Sequence, residues 1–196
     1  AVGVVSQYMH NPKEVHLRAA HRILQYLKGI PGKGVSFKRG EELTPEAYTN
    51  ADYAGSLDDR RLTSGYYTFL GGNLVTWRSK KQNLVARSSA EAEFKAMALG
   101  VCELLWLKIT WEGPMKLYCD NNSAINIAHS LVQHDHTKHV EVDIHFIKEK
   151  LESGLICTSF VSSEKQLADV LTKGLNGSVF QSVITKLRMD NIHLPA

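Results

Sequence analysis

Four acidic residues stand where predicted strands and helices begin or end, and carboxylates in such places can do metal chemistry. In chain order they are Asp52, Glu93, Asp120 and Asp169. Like charges within a few ångströms raise one another's pKa, and divalent cations relieve that repulsion. Oxygen ligands suit Mg²⁺ or Mn²⁺, and two such ions about 4 Å apart can hold an attacking water and a leaving oxygen in line across a phosphate. The spacing alone leaves open four unrelated helix caps and surface acids.

Glu93 differs from Glu91 in its place on the longest predicted helix. Ser88 and Glu91 stand three residues apart and form a capping box, which predicts that the helix starts there. Glu93 has no capping role and lies just before an apolar run that is broad enough for a helix buried on more than one side. Glu93 is therefore either a solvated first-turn residue, favoured by the helix dipole, or a functional acid.

Two of the acids end predicted strands. Asp52 lies at the end of a strand over 46–53, and Asp120 ends a short apolar strand over 116–120. In open α/β sheets, ligands bind beyond the carboxyl ends of the strands. If these two strands are neighbours, we expect all four acids to converge on one edge of the sheet.

Asp169 belongs to a predicted helix late in the chain. Ser163 and Gln166 form a second capping box, which predicts a helix start. We expect this helix to continue to about Lys173 and to end at Gly174, so that Asp169 lies in its second turn.

The order of the predicted elements indicates an α/β fold. A hairpin that turns at 71–73 completes three antiparallel strands, and strands that alternate with helices follow, which is typical of a mixed sheet flanked by helices. The further predicted elements are strands at 35–38, 65–70, 74–78 and 155–161, helices at about 12–29, 88–109, 122–131, 140–151 and 179–187, and connections at 29–34 and 79–83.

Composition sets broad limits on the class of protein. The length of 196 residues suits one domain with an appendage, and the net charge of +3 permits an anionic partner without arguing for one. No apolar run approaches the roughly 20 residues that span a bilayer, and no signal pattern opens the chain. We expect Cys102, Cys119 and Cys157 to be reduced core thiols of an intracellular protein.

Eight short motifs follow one another between residues 48 and 173. They are Tyr48–Gly55, Asp58–Arg61, Ser64–Tyr66, Trp77–Gln82, Ser88–Phe94, Cys119–Asn121, Thr137–His139 and Ala168–Lys173. Together they resemble the ribonuclease H domain of copia-type LTR retrotransposon Pol polyproteins. Residues 8–30 similarly resemble the end of the preceding reverse-transcriptase region.

The resemblance implies a ribonuclease H-like fold, with a mixed five-stranded sheet of three antiparallel strands and then alternating strands and helices. It implies an endonuclease that hydrolyses the RNA strand of RNA–DNA hybrids during retrotransposon reverse transcription. Asp52, Glu93, Asp120 and Asp169 are then both the catalytic residues and the ligands of two Mg²⁺ ions, with Mn²⁺ as a substitute.

The resemblance also implies a domain organisation. Residues 1–34 are a remnant of the reverse-transcriptase region with a linker, 35–175 the ribonuclease H domain and 176–196 a tail. The implied partners are an RNA–DNA hybrid and the reverse-transcriptase domain of the same polyprotein, with no membrane. The implied location is intracellular: a cytoplasmic virus-like particle, with the nucleus as the alternative.

Two positions depart from the pattern of the family. Asn50 stands where many relatives have a second aspartate, but that position is not one of the four ligands. Many cellular ribonucleases H carry a catalytic-loop histidine shortly before the last aspartate, whereas Phe160–Asp169 contains none. This departure puts histidine-assisted product release in doubt, though not metal-dependent cleavage.

Small polar and basic residues near the acids are candidates for substrate binding. Hydrogen bonds to the sugar–phosphate backbone fix the register of a nucleic acid, and discrimination of RNA requires a contact with the 2′-hydroxyl. A solvated strand end is the alternative for the basic residues. The candidates are Ser88, Ser89, Asn121, Arg78, Lys80 and Lys81.

Five histidines crowd the stretch from His129 to His145. The spacing of His134, His136 and His139 would suit zinc, and a loop with polar surface histidines is the alternative that we favour, because no Cys or acid completes a known structural site. We expect Trp106 and Trp111 to lie in the core, not to stack on bases.

Two other functional classes remain beside the nuclease. One is a catalytically inert nucleic-acid-binding remnant of a decayed transposon, against which the four intact acids argue. The other is a strand-transfer enzyme of the integrase type, which would need two aspartates followed by a glutamate, whereas the order here is Asp, Glu, Asp, Asp.

Overall fold

The computed structural model describes residues 1–39, 42–53, 61–83, 86, 88–108, 111–130 and 138–192. The chain forms two compact units, Phe37–Leu187 and a smaller one of Ala1–Ser36 with Arg188–Ala196. The helices are α1 (Val2–Ser6), α2 (Glu14–Gly29), α3 (Ser89–Leu107), α4 (Asn122–His129), α5 (Lys138–Glu152), α6 (Asp169–Thr172) and α7 (Gly177–Lys186). The strands are β1 (Lys33–Val35), β2 (Pro45–Asp52), β3 (Thr63–Leu70), β4 (Asn73–Lys81), β5 (Met115–Cys119), β6 (Ile156–Phe160) and β7 (Met189–Asn191).

The larger unit is built on a mixed sheet of five strands in the order β4-β3-β2-β5-β6. The pairs β2–β3 and β3–β4 are antiparallel, whereas β2–β5 and β5–β6 are parallel. This is the predicted α/β architecture of three antiparallel strands followed by alternating strands and helices. It also makes β2 and β5 neighbours, which is the condition for the acids at their ends to meet.

Local sequence accounts for the hairpin between β3 and β4. Leu70 pairs with Asn73, and the two residues between them, Gly71 and Gly72, have φ of 57° and 71°. Positive φ at both central positions is the requirement of a type I′ turn, whose twist suits a two-residue hairpin. The glycines therefore fix the register of the antiparallel half of the sheet.

Helix α3 packs against one face of the sheet so closely that a glycine is needed at the contact. A Cβ on Gly100 would lie 2.5 Å from Cγ2 of Thr49 on β2. Among the described residues, fourteen buried ones form the main core of this side; they are Ala47, Phe94, Met97, Ala98, Val101, Leu104, Met115, Leu117, Cys119, Ala124, Ala128, Ile144, Ile147 and Ile156.

Helix α6 packs against the opposite face. Gly65 of β3 lies directly under it, because a Cβ there would be 2.6 Å from Cβ of Leu171. Asn50, which is buried on the same face of β2, donates from Nδ2 to Oγ1 of Thr172. Asn50 therefore attaches α6 to the strand that ends in Asp52.

The smaller unit contains α1, α2 and a two-stranded antiparallel sheet. In that sheet Lys33–Val35 of β1 pairs with Met189–Asn191 of β7. Leu17, Leu24 and Leu27 of α2 are exposed, each by more than half. None of the helices in the described ranges is long and apolar enough to cross a membrane.

Some element boundaries differ from those that the sequence predicted. Lys33 and Gly34 were predicted to belong to a linker but form part of β1, and β4 continues through Lys81 into the predicted basic connection. The division into units falls after Ser36 and after Leu187, whereas the sequence placed domain boundaries after residues 34 and 175, so α7 lies in the larger unit.

The predicted capping box of Ser163 and Gln166 was wrong. Residues Ser163–Lys165 form one turn of 3₁₀ helix, and an α-helix begins only at Asp169. The two side chains have other partners. Ser163 donates to a carboxylate of another element, and Gln166 bonds the backbone of β2, so neither closes a helix end.

Two expectations about the core were also wrong. Trp106 is 70% exposed on α3, because the side of this helix that carries it does not face the sheet, whereas Trp111 is partly buried against the main core. Cys102 is exposed on the same helix, while Cys119 is buried and Cys157 half-buried.

Candidate active site

The sheet brings Asp52 and Asp120 to the carboxyl ends of two neighbouring parallel strands. Tyr48 of β2 pairs with Tyr118 of β5, and the two acids follow at the strand ends, four residues and two residues further on. Both aspartates are half-buried. This is the edge of the sheet where α/β folds bind their ligands.

Glu93 reaches this edge from α3. Ser88 caps that helix, its hydroxyl accepting from the N–H of Glu91 at 3.2 Å, as the sequence predicted. Glu93 lies in the second turn and is only 5% exposed. Its Oε1 accepts from the N–H of Ala51 at 3.0 Å, which orients the carboxylate at the end of β2.

Glu93 and Asp120 are close enough to share one ion. One side-chain ligand atom from each of Glu93, Cys119 and Asp120 lies within 4.8 Å of the other two. A carboxylate pair at this separation fits the ligand spacing of a single divalent cation.

Asp169 approaches from α6 and is 4% exposed. Its Oδ2 forms a salt bridge of 2.9 Å with Nζ of Lys173, one helical turn later. Its Oδ1 is buried and finds no hydrogen-bond partner among the residues that the structure describes. A buried carboxylate oxygen without a partner is costly unless an ion or a water satisfies it.

The electrostatics link all four acids. Burial raises the pKa of Glu93 to about 8; the N–H of Ala51 opposes that rise, and Asp120 and Asp169 add to it. Burial also raises the pKa of Asp169, which Lys173 lowers and Asp120 and Asp52 raise again. The pKa of Asp52 is raised by burial and lowered by Lys173.

The residues at this edge fit a divalent cation. The donors are carboxylate oxygens, and one of them is buried without a hydrogen-bond partner among the described residues. Burial raises the pKa of Asp52, Glu93 and Asp169, and repulsion from neighbouring acids adds to the rise for Glu93 and Asp169. Hard oxygen donors of this kind favour Mg²⁺ or Mn²⁺ over softer metals. Lys173 balances part of the charge through its salt bridge with Asp169, and it also lowers the pKa of Asp52.

Sequence reasoning missed two residues that hold the loop before Asp169. The side chain of Gln166, 2% exposed, donates from Nε2 to the carbonyl of Thr49 at 2.9 Å and accepts from the N–H of Ala168 at 3.2 Å. Ser163 donates to Oδ2 of Asp120 at 3.2 Å. Both have the residue types of a capping box, so local sequence offered no signal for these long-range roles.

The polar candidates for substrate binding lie at the starts of two helices. Ser88 and Ser89 are exposed at the start of α3. Asn121 directly follows Asp120 and caps α4, its Oδ1 accepting from the N–H of Ala124 at 3.0 Å. All three therefore lie within a few residues of an acid of the site.

The basic candidates lie on the edge strand β4. Arg78 and Lys80 are exposed on the face of the sheet against which α3 packs. Lys81 is half-buried on the opposite face. Thr63 pairs with both Asp52 and Lys81, so the backbone of Lys81 lies two strands, about 10 Å, from that of Asp52. The end of β4 that carries Lys81 thus lies at the same edge of the sheet as Asp52.

The histidine cluster is only partly described. His129 forms a hydrogen bond of 2.6 Å with Thr158, and His129 and His145 line a groove of about 850 Å³ between α4, α5 and β6. His134, His136 and the side chain of His139 lie outside the described residues, so the zinc hypothesis stays a prediction.

Solved structures of known proteins share this fold. Ribonuclease H1 of the archaeon Halobacterium salinarum superposes with a TM-score of 0.52 at 14% identity, over 66% of this chain and 94% of its own. LC11-RNase H1, crystallised in complex with an RNA/DNA hybrid, gives a TM-score of 0.52 at 15% identity over the same shares. The fold is therefore that of ribonuclease H.

Sequence comparison gives the family, although no protein-family model matches the chain. The retrovirus-related Pol polyprotein from transposon RE1 of Arabidopsis thaliana is 41% identical to this chain over 98% of its residues. The corresponding polyprotein from transposon TNT 1-94 of Nicotiana tabacum is 35% identical over 92% of the chain. Nearly the whole chain is thus homologous to part of the retrovirus-related Pol polyproteins of transposons, which confirms the resemblance found in its motifs. It spans about 14% of the length of these relatives.

Proposed function

We propose that the larger unit hydrolyses the RNA strand of RNA–DNA hybrids during reverse transcription of a retrotransposon. One observation carries the proposal: four elements bring acids to one edge of a ribonuclease H fold. Asp52 and Asp120 end neighbouring strands, Glu93 has a ligand atom within 4.8 Å of Asp120, and α6, which begins with Asp169, is attached to the strand of Asp52. Such a concentration of buried negative charge is unfavourable in a merely structural role, because it raises the pKa of its members.

The four acids would hold the metal, and three of them have a defined support. Ala51 orients Glu93, and Ser163 holds Asp120. Lys173 holds one oxygen of Asp169, and the other has no hydrogen-bond partner in the described part of the chain. When bound, divalent cations at such a site lower the pKa of water and stabilise the charge that develops on a phosphate. We propose Mg²⁺, two ions at a time, with Mn²⁺ as a substitute.

The polar residues around the acids would hold the substrate. Ser88, Ser89 and Asn121 can donate to phosphate or to the 2′-hydroxyl from positions beside Glu93 and Asp120. Arg78, Lys80 and Lys81 on the edge strand would attract the phosphates of the second strand. LC11-RNase H1, which shares the fold, was crystallised with an RNA/DNA hybrid, in line with this substrate class.

The proposed setting is that of the relatives. Their Pol polyproteins imply a reverse-transcriptase domain as partner, because hybrid is the product of copying RNA into DNA. We place this chain with that domain inside the cell, in a cytoplasmic particle or in the nucleus.

The test is a cleavage assay on matched nucleic acids. We expect the chain to cut the labelled RNA strand of an RNA–DNA hybrid in Mg²⁺ and not in EDTA. It should leave the DNA strand, single-stranded RNA, double-stranded RNA and double-stranded DNA intact. Binding to the hybrid without cleavage would favour the inert nucleic-acid-binding remnant instead.

A further inference from the structure

Cys119 lies between two of the proposed metal ligands, and the function proposed above does not use it. It is fully buried at the end of β5, directly before Asp120. Its Sγ is 3.8 Å from Oε2 of Glu93. A buried cysteine is usually a small apolar filler of the core, so these polar contacts call for another explanation.

The sulfur has a polar partner on each side. The N–H of Asn121 donates to Sγ at 3.4 Å, and Oε2 of Glu93 is in position to accept from the thiol. Oε1 of Glu93 already accepts from Ala51 on the neighbouring strand. The carboxylate is thus fixed by one contact on each oxygen, one from the end of β2 and one from the end of β5.

We propose that Cys119 is a positioning residue of the metal site, which orients the Glu93 carboxylate relative to Asp120 through these two hydrogen bonds. The inference rests on the proposed function in taking Glu93 and Asp120 as ligands of a divalent cation. Groups that hydrogen-bond to metal ligands set ligand geometry, and their loss typically costs about 10–100-fold in metal affinity. Mg²⁺ prefers oxygen over sulfur, so the sulfur acts through Glu93 and not as a ligand.

Three substitutions separate this role from simple core packing. Cys119→Ala removes donor and acceptor, whereas Cys119→Ser keeps both in a slightly smaller side chain. Cys157→Ala is the matched control, because Cys157 lies on the neighbouring strand β6 and pairs with Lys116 at the far end of β5 from Asp120. Cys119→Val fills the volume without a donor and takes the place of Cys119→Ala if that variant does not fold.

The experiment measures the Mg²⁺ dissociation constant of the full chain from the rise of its unfolding temperature with Mg²⁺ concentration. We expect Cys119→Ala to weaken Mg²⁺ binding by about tenfold. Cys119→Ser and Cys157→Ala should stay within about twofold of the parent, since neither removes the hydrogen bonds at Glu93. Equal Mg²⁺ affinity in Cys119→Ala and the parent would overturn the assignment. Cys119 would then be only a buried thiol that fills the core.

Two further outcomes are informative. In a Cys102→Ala, Cys157→Ala background with Mg²⁺ present, sulfur-to-metal charge-transfer absorption on adding Cd²⁺ that is lost with Cys119→Ala would place the sulfur among the ligands and overturn a purely positioning role. A parent that binds Mg²⁺ but cleaves no hybrid contradicts the proposed function alone, because the affinities of the variants still test Cys119.

Discussion

Glu93 and Glu91 stand two residues apart on one helix, and the structure separates their surroundings. Glu93 is 5% exposed and lies against Asp120, whereas the backbone N–H of Glu91 takes part in the helix cap. We therefore propose that the site uses the charge of Glu93 and only the fold of the helix around Glu91.

We expect Glu93→Gln to abolish hybrid cleavage and Glu91→Gln to leave it largely intact. Removing one charged group that acts on the transition state costs about 10²–10³ in rate, whereas glutamine at a capping position costs little. The measurement is the initial rate of cleavage at saturating Mg²⁺. Equal losses in the two variants would mean that the wrong glutamate is assigned to the site.

The raised pKa of Glu93 predicts a pH-dependent stability of the metal-free protein. Because its pKa is about 8 in the folded chain and ordinarily 4.5, the folded state binds this proton more tightly than the unfolded state. The stabilisation is complete below about pH 4.5 and is lost as the pH rises through about 8.

In EDTA, we therefore expect Glu93→Gln to become more stable relative to the parent as the pH rises from 5 to 8, by about 1–3 kcal/mol in the free energy of unfolding. Glu91→Gln is the control and should follow the parent. Mg²⁺ should reverse the order and stabilise the parent more. A difference between parent and Glu93→Gln that does not change with pH would contradict the burial of a charged Glu93.

At the residue scale, the acids could be predicted from the sequence, but the residues that support them could not. The acids are recognisable because their motifs combine a fixed residue type with the end of a strand or helix. Gln166, Ser163 and Cys119 could not be found in this way, since their partners lie 117, 43 and 26 residues away. Only the folded chain shows these contacts.

At the element scale, α6 carries Asp169 and is only four residues long, so its position depends on what it packs against. The contact is Gly65, where a Cβ would lie 2.6 Å from Cβ of Leu171 and 3.1 Å from Cγ2 of Thr172. The first of these atoms is attached to the helix backbone and cannot move without it.

We expect Gly65→Ala to displace α6, to cost about 1–3 kcal/mol of stability, and to reduce cleavage by moving Asp169. Gly174→Ala is the matched control just beyond α6, because its Cβ would meet nothing within 4 Å. Chemical denaturation and the cleavage rate measure the two effects. If Gly65→Ala has the same stability and cleavage rate as Gly174→Ala, then α6 accommodates a Cβ at residue 65 without moving, and this prediction is wrong.

Long patterned elements were predictable, and short ones were not. The hairpin at Gly71-Gly72 and the apolar run of α3 carry strong local signals, and both elements are as predicted. The 3₁₀ turn at 163–165 and the three-residue strands β1 and β7 have no periodicity to detect. Their conformations follow from tertiary hydrogen bonds.

At the scale of the whole molecule, the main core and all four acids belong to the unit Phe37–Leu187. A fragment with its own core and its own sheet is expected to fold alone. The sequence placed the end of this domain before α7, whereas that helix belongs to the unit Phe37–Leu187, and its Val183 and Ile184 are buried.

We therefore expect residues 37–187 to unfold cooperatively when expressed alone and to retain Mg²⁺-dependent cleavage. A fragment of residues 37–175, which lacks α7, is the comparison and should be less stable, because the apolar side chains of that helix are lost. Thermal unfolding followed by circular dichroism measures the stability of both fragments, and the cleavage assay measures the activity of 37–187. If 37–187 shows no cooperative transition, the smaller unit is required for folding.

The central claim is that four carboxylates act together in cutting RNA, and it is tested most directly by neutralising Asp52, Asp120 and Asp169 one at a time. Cleavage of an internally labelled hybrid in Mg²⁺ is compared among the parent and the three Asp→Asn variants, with binding of the hybrid measured in EDTA. We expect each substitution to lower the rate by about 100-fold or more while leaving binding within about twofold of the parent. Any one variant that cuts the RNA strand at the rate of the parent would contradict the four-carboxylate site.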